Sequence, residues 1–355
     1  MNDLTKINDT RKAELLSSTV EHVDIRSFDA RPIIDAMGKM SFTSRDLARA
    51  TGIYNQMLAD RDCTVFLVIA GSTSAGGCMD LYAELVRSNM VDGIVATGAS
   101  IVDMDFFEGL GHKHYQALEI PDDNTLRSLY IDRIYDTYID EEQLQETDHT
   151  IGAIADSLDP RPYSSREFIR EMGRYLVEHG KKENSLVKLA FEHDVPIFCP
   201  AFTDSSAGFG LVKHQVERMK AGKPYMTLDS IADFRELTDI KIAAGATGLL
   251  MIGGGVPKNF VQDTVVCAEI LGHEDVAMHK YAVQITVADV RDGACSSSTL
   301  QEAASWGKVD TALEQMVFAE AGSVMPLLAS DAFHRGHWRE RPKRRWAKLF
   351  EKAAA

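Results

Sequence analysis

The chain has 355 residues, 45% hydrophobic and 26% charged, with a formal net charge of −15; this is the balance of a globular protein with apolar mass for one large or two ordinary domains. The acidic surplus excludes nucleic acid as the main partner, because a phosphate backbone requires a basic face, and no apolar run approaches the ~20 residues that span a bilayer. The five cysteines, 63, 78, 199, 267 and 295, are odd in number and widely spaced, so neither a disulfide framework nor a metal site is expected, and a reducing, cytoplasmic setting is.

In chain order, the polar stretch Met1 to Lys12 has no apolar leader, and 1–60 reads as an N-terminal helical segment. The first buried run, Thr64 to Ala70, passes into Gly71-Ser72-Thr73-Ser74-Ala75-Gly76-Gly77. The second, Gly93 to Ala96, passes into Thr97-Gly98-Ala99-Ser100. From His114 to Arg161 the chain is acidic and poor in strand signals, which predicts a helical excursion with a solvated face. Leu186, Val187, Leu189 and Ala190 form the apolar stripe of a helix over 184–193. Pro196 to Ala201 is a third buried run, ending at Thr203-Asp204-Ser205-Ser206. Thr227-Leu228-Asp229-Ser230 opens a helix that continues through Phe234, Leu237 and Ile240 to a stop at Gly245. Further runs follow at Gly248 to Ile252, ending at Gly253-Gly254-Gly255, at Tyr281 to Val287, and at Gln315 to Ala319. From Arg335 to Lys348, Arg339, Arg341, Lys343, Arg344 and Arg345 with Trp338 and Trp346 suggest a solvated basic tail over 335–355.

Most of these runs are continuously apolar rather than alternating, the pattern of strands covered on both faces. Alternation with helical segments predicts an α/β fold: a doubly wound, mostly parallel sheet with flanking helices. In such sheets ligands sit beyond the carboxyl ends of the strands, where this chain concentrates Gly, Ser, Thr and Asp. The clusters Gly71 to Gly77 and Gly253 to Gly255 would let backbone approach a phosphate, although neither is a GxGxxG fingerprint. Asp204 and Asp292 stand in turn contexts where aspartate commonly caps a helix. His112, His114 and His214 form no metal or triad pattern. Lys308 follows Trp306 and Gly307, with Glu302 upstream. A lysine partly desolvated against an aromatic wall can hold a carbonyl or imine carbon as a Schiff base, whereas a lysine without that company is a solvated surface charge.

Six motifs then occur in a fixed order: Asn89-Met90-Val91-Asp92, Ala96-Thr97-Gly98-Ala99, Pro200-Ala201-Phe202-Thr203-Asp204, Ile252-Gly253-Gly254-Gly255-Val256, Ser305-Trp306-Gly307-Lys308 and Met325-Pro326-Leu327-Leu328. On these the chain resembles the deoxyhypusine synthase family, over roughly 60–330, with a catalytic domain expected at 61–334. The resemblance implies a Rossmann-like homotetramer that uses NAD and carries a four-carbon aminobutyl group as an imine on a lysine. By position that lysine is Lys308, with Trp306 lining the substrate tunnel and Glu302 facing a substrate amine. NAD contacts carry over to Thr97, Asp204, Gly254, Gly255, Ala288, Asp292 and Glu320, and their neighbourhoods add Gly71, Ser72, Gly98, Asp103 and Ala319.

Three positions depart from the spermidine-using pattern. Phe209 and Cys295 replace aspartates, and Asn259 replaces a histidine. A buried ammonium without its carboxylate costs several kcal/mol, so the expected substrate is a different small cationic amine, with Asp263, Asp103 and Glu302 as candidate acids. The leading expectation is transfer of a four-carbon amine unit to agmatine or putrescine. The alternatives are deoxyhypusine synthase proper, acting on a lysine of the translation initiation factor, and an inactive paralogue that binds NAD or a partner.

Overall fold

The structure, a computed structural model, describes residues 3–295 and 298–353. Its centre is a six-stranded sheet whose pairings are all parallel. The strands are β1 (Thr64–Ile69), β2 (Gly93–Ala96), β3 (Ile197–Phe198), β4 (Thr247–Ile252), β5 (Tyr281–Thr286) and β6 (Glu314–Phe318). They lie in the order β6-β5-β4-β1-β2-β3. The chain therefore winds outward from β1 to one edge, then returns to the centre and winds from β4 to the other. The reversal falls between β1 and β4, paired from Thr64 with Thr247 to Ile69 with Ile252.

The expected double covering explains the apolar runs. Every residue of β1, β2, β4 and β5 is buried. On one face Val65, Leu67 and Ile69 join a core with the helices Phe42–Ala59, Met79–Arg87, Ser165–His179 and Ala321–Arg335. On the other, Phe66 and Val68 pack with Leu237 and Ile240 of helix Ser230–Ala243, Val261 of helix Gly255–Gln262, and Leu300 and Ala303 of helix Leu300–Ser305. Local chemistry sets the helix ends: Asp229 accepts from the amides of Ile231 and Ala232 at the start of Ser230–Ala243, and Gly245, at φ +63°, follows its end.

Two expectations change, and the N-terminal segment gains detail. The acidic excursion contains a three-stranded antiparallel sheet, His114–Gln116, Thr137–Asp140 and Ile131–Ile134 in spatial order, before the expected helix at Glu141–Ser157. These strands are three or four residues long, too short for their alternation to stand out. Helix Phe42–Ala59, within the expected N-terminal helical segment, sends Leu47, Ala50, Ile53, Tyr54 and Met57 into the sheet core. The basic tail is not simply solvated. Arg341 is buried, bonds Asp92 at 2.5 Å and Asn89 O at 2.5 Å, and reaches Cys63 O at 3.2 Å, tying the C-terminus to the chain just before β1 and β2. All five cysteines are free thiols, and no described helix is long and apolar enough to cross a membrane.

Candidate active site

All six strands deliver residues from their carboxyl ends to one cavity of about 450 Å³, at the place where the winding reverses. Ala70, Gly71 and Thr73 enter after β1, and Thr97 and Gly98 after β2. Pro200, Ala201 and Asp204 follow β3, and Gly253, Gly254 and Gly255 follow β4. Val287 and Ala288 come from β5, and Ala319, Glu320 and Ala321 from β6.

The three consecutive glycines serve different needs. Gly253 has φ +76°, and a Cβ there would stand 2.8 Å from Ala70 O. At Gly254 a Cβ would stand 2.2 Å from Ala294 O, closer than real contacts allow. Gly255 has φ +64° and open space where its Cβ would be. The first two glycines let neighbouring backbone close on the strand end, and the third leaves room at the start of helix Gly255–Gln262. Gly71, at φ +90° and also open, repeats the arrangement after β1. At Gly98 a Cβ would meet Ser205 Oγ at 2.6 Å.

Of the residues carried over as cofactor contacts, Gly71, Thr97, Gly98, Asp204, Gly254, Gly255, Ala288, Ala319 and Glu320 line this cavity; Ser72, Asp103 and Asp292 do not. The latter two acids have identifiable work. Asp103 accepts from Ser206 N at 2.8 Å and so caps helix Ser206–Lys220 from a distance. Burial pushes its carboxyl up to about 6, helped by the charges of Asp148 and Asp204 and opposed by the Ser206 bonds. Asp292 accepts from Ala294 N at 2.7 Å, shaping the turn whose Ala294 carbonyl faces Gly254. Glu320 lines the cavity and also caps helix Ala321–Arg335, accepting from Gly322 N at 2.6 Å and Ser323 N at 2.7 Å. Partial burial opposes its ionisation, but these bonds win and hold its pKa below the usual range.

The substrate candidates gather elsewhere. Helix Gly255–Gln262 starts at the cavity and runs back along the sheet to Asp263. Its eight residues span about 12 Å. Lys308 Nζ meets Asp263 Oδ1 at 2.5 Å and stands 5.2 Å from the centre of the Trp306 ring. The Lys308 side chain is 14% exposed, so the amine is sheltered, but a carboxylate holds it as well as an indole. Asn259, one turn before Asp263, shares that helix face, and its carbonyl accepts from Asp263 N. Trp306 is 68% exposed. Lys308, Asn259, Asp263, Trp306, Glu302, Cys295 and Phe209 are all absent from the cavity lining.

Glu302, expected to face an amine, closes a capping box in this chain: its carboxylate accepts from Thr299 N at 2.6 Å, while Thr299 Oγ1 accepts from Glu302 N. These bonds lower its pKa. Cys295 is fully buried. Phe209 is exposed on helix Ser206–Lys220 with Val212, Val216 and Met219, along an apolar stripe.

Two supporting residues escaped the sequence reading. Lys258 is wholly buried, and its ammonium donates to Cys295 O at 3.0 Å and Ser298 O at 2.5 Å. Burial drives its pKa down. It ties the loop behind Gly254 to the helix that ends at Asp263. His279, also buried, donates its backbone N–H to Lys308 O at 2.9 Å. Its ring meets Thr247 Oγ1 at 2.8 Å and Val261 O at 3.1 Å, and burial keeps it neutral. The only sequence signal for Lys258 was its place after the glycines; His279 had none. Among the described residues no group of His, Cys, Asp and Glu is placed to hold a metal ion.

The family model for deoxyhypusine synthase matches residues 32–332. The chain is 73% identical over 341 residues to the deoxyhypusine synthase-like protein of Coxiella burnetii strain RSA 493, covering 96% of each chain. It is 68% identical over 347 residues to the protein of that name from Caulobacter vibrioides, covering 98% of this chain and 94% of that one. The crystal structure of a "putative deoxyhypusine synthase" from Entamoeba histolytica shares the fold, with a TM-score of 0.59 at 20% identity over 89% of this chain and 97% of that one. The chain belongs to the deoxyhypusine synthase family, whose enzymes use NAD and transfer aminobutyl groups.

Proposed function

We propose that this member of the deoxyhypusine synthase family moves a four-carbon amine unit, aminobutyl or guanidinobutyl, between small amines by way of an imine on Lys308. The observation that carries this reading is the pairing of Lys308 with Asp263 beside Trp306. A lysine must shed a proton before it attacks carbon, and Asp263 is the carboxylate in reach to take it.

NAD suits the cavity. The strand order is that of doubly wound dinucleotide-binding sheets, with the cavity at the reversal, and about 450 Å³ is within the range of cofactor pockets. Gly71, Gly254 and Gly255 would admit the pyrophosphate, with Asp204 and Glu320 able to accept ribose hydroxyls. When bound there, NAD would supply reversible acceptance of a hydride from the amine-bearing carbon.

Lys308 would attack the resulting substrate imine and release the first amine, so one C–N bond forms as another breaks. The acceptor amine then displaces Lys308 in the same manner, and return of the hydride leaves no net redox change. Lys308 does not line the cavity of its own chain, and its partner Asp263 stands at the far end of a helix about 12 Å long that starts there. We therefore assign the amine to the cavity of a neighbouring copy in the homotetramer expected for this family. The exposed stripe of Phe209, Val212, Val216 and Met219, on the helix that follows Asp204, supports such a contact.

The substrate assignment rests on Cys295 and Phe209, which put sulfur and a phenyl ring where the spermidine pattern has carboxylates. A guanidinium or primary ammonium would instead meet Asp263. Incubation with NAD and agmatine, putrescine or spermidine, followed by mass spectrometry, tests this. Homospermidine or its bis-guanidino counterpart, formed from small amines alone, is the expected result. Turnover only with spermidine and the initiation-factor lysine would replace the reading with deoxyhypusine synthesis.

A further inference from the structure

A second groove, of about 650 Å³, lies at the far end of helix Ala321–Arg335 from Glu320. It is walled by the helices Arg31–Met37 and Phe42–Ala59. At its floor Asp331 is fully buried, accepting from Asn55 Nδ2 at 2.8 Å and from Arg335 Nε at 2.9 Å. Arg335 also reaches Asp35 at 2.6 Å. Both carboxylates of the groove are thereby engaged.

The remaining polar groups are not. Asn55 is 8% exposed and spends both amide hydrogens on Thr51 O and Asp331. That fixes its orientation, yet its buried Oδ1 accepts nothing. A buried acceptor without a donor is costly. Lys39, Arg45 and Arg49 line the groove, and none has a carboxylate within ion-pair distance among the described residues. Their isolation stands out in a chain with 53 acidic and 38 basic residues. Arg45 and Arg49 are also one turn apart on the same helix, where like charges repel; an anion between them turns that repulsion into a clamp.

We propose that this groove binds a small phosphate ester that carries free hydroxyls. The phosphate would sit between the guanidinium groups of Arg45 and Arg49, which match its oxygens in fork geometry, with Lys39 adding charge. A hydroxyl of the ligand would donate to Asn55 Oδ1. The groove is the size of small-molecule sites and is separate from the NAD cavity, so the proposal stands apart from the reading of Lys308.

The test is calorimetric titration of the full chain with ribose 5-phosphate and with inorganic phosphate, both with NAD present to fill the first cavity. Arg45 and Arg49 are exposed and unpaired, so R45A/R49A should melt as the unaltered protein does. Saturable binding of ribose 5-phosphate is expected, tighter than that of phosphate and weakened about tenfold or more in R45A/R49A. Absence of saturable binding, or equal affinity in the double variant, overturns the site. Equal affinity for the two probes overturns the role given to Asn55.

Discussion

Asp263 caps the helix that begins at the glycine triplet, and its carboxylate lies 2.5 Å from Lys308 Nζ. The helix thus joins a backbone feature of the proposed cofactor cavity to the partner of the proposed nucleophile. Asp263→Asn keeps the shape and a hydrogen-bond acceptor but removes the group that can take the lysine proton. Borohydride trapping of substrate on the chain, with turnover measured in parallel, should fall by roughly 10²-fold, the usual worth of a positioned base. Lys308→Ala should abolish trapping altogether. Trapping that survives in Lys308→Ala would move the nucleophile to another residue.

Gly254 and Gly255 are adjacent but should respond differently to alanine. A Cβ at Gly254 meets Ala294 O at 2.2 Å, a backbone atom held by the turn around Asp292. Relief requires that turn to move, and overpacking of this kind costs about 1–3 kcal/mol. Gly255→Ala meets no atom and carries only the strain of φ +64°, about 1–2 kcal/mol. Gly254→Ala should lower the melting temperature more and displace the cavity wall. Gly255→Ala should keep the fold while its methyl group projects into the open space at the helix start, weakening NAD in a fluorescence titration. Equal melting temperatures for the two variants would contradict the packing at Ala294.

The sheet was legible because its strands are buried on both faces, which leaves uninterrupted apolar runs such as Thr64–Ile69 and Thr247–Ile252. The strands of the excursion were not, because His114–Gln116 and Thr137–Asp140 are too short for a period to emerge. The cavity glycines were visible as clusters, although the separate reasons for Gly253 and Gly254 depend on Ala70 and Ala294, distant contacts that no local pattern encodes. The same holds for Lys308. Its motif was apparent, but Asp263 is 45 residues away in sequence and meets it only through the register of helix Gly255–Gln262. Glu302 shows the converse: Thr299-x-x-Glu302 is a capping-box pattern, and the local rule describes its bonds in this chain.

Arg341 and Asp92 form a buried pair, each side chain 1% exposed. Arg341→Ala leaves the Asp92 charge in the interior with only Val65 N, at 2.8 Å, bonded to the oxygen that Arg341 also held. Loss of one partner of such a pair typically costs about 3–5 kcal/mol. Replacing both, as in Asp92→Leu with Arg341→Leu, removes the stranded charge and should cost less than Arg341→Ala alone. Urea denaturation of the three proteins measures the difference. A basic tail that contributes nothing to the fold would leave all the midpoints equal.

Asp103 should make stability fall as pH rises through the mildly acidic range. Its carboxyl ionises near 3.8 in the unfolded chain and is pushed up to about 6 in the fold by burial, against the bonds from Ser206. Between these values the folded state keeps a proton that the unfolded state has released, so the folded state binds more protons and stability decreases with pH. The contribution is complete below about pH 4 and is lost as pH passes about 6. Asp103→Asn keeps an oxygen for Ser206 N and cannot ionise. Its stability should match that of the unaltered chain near pH 4 and exceed it above pH 6, by on the order of 3 kcal/mol. Paired urea melts across pH 4 to 8 would show a gap that opens through this window; a gap that stays constant would mean Asp103 ionises as an ordinary exposed carboxylate does.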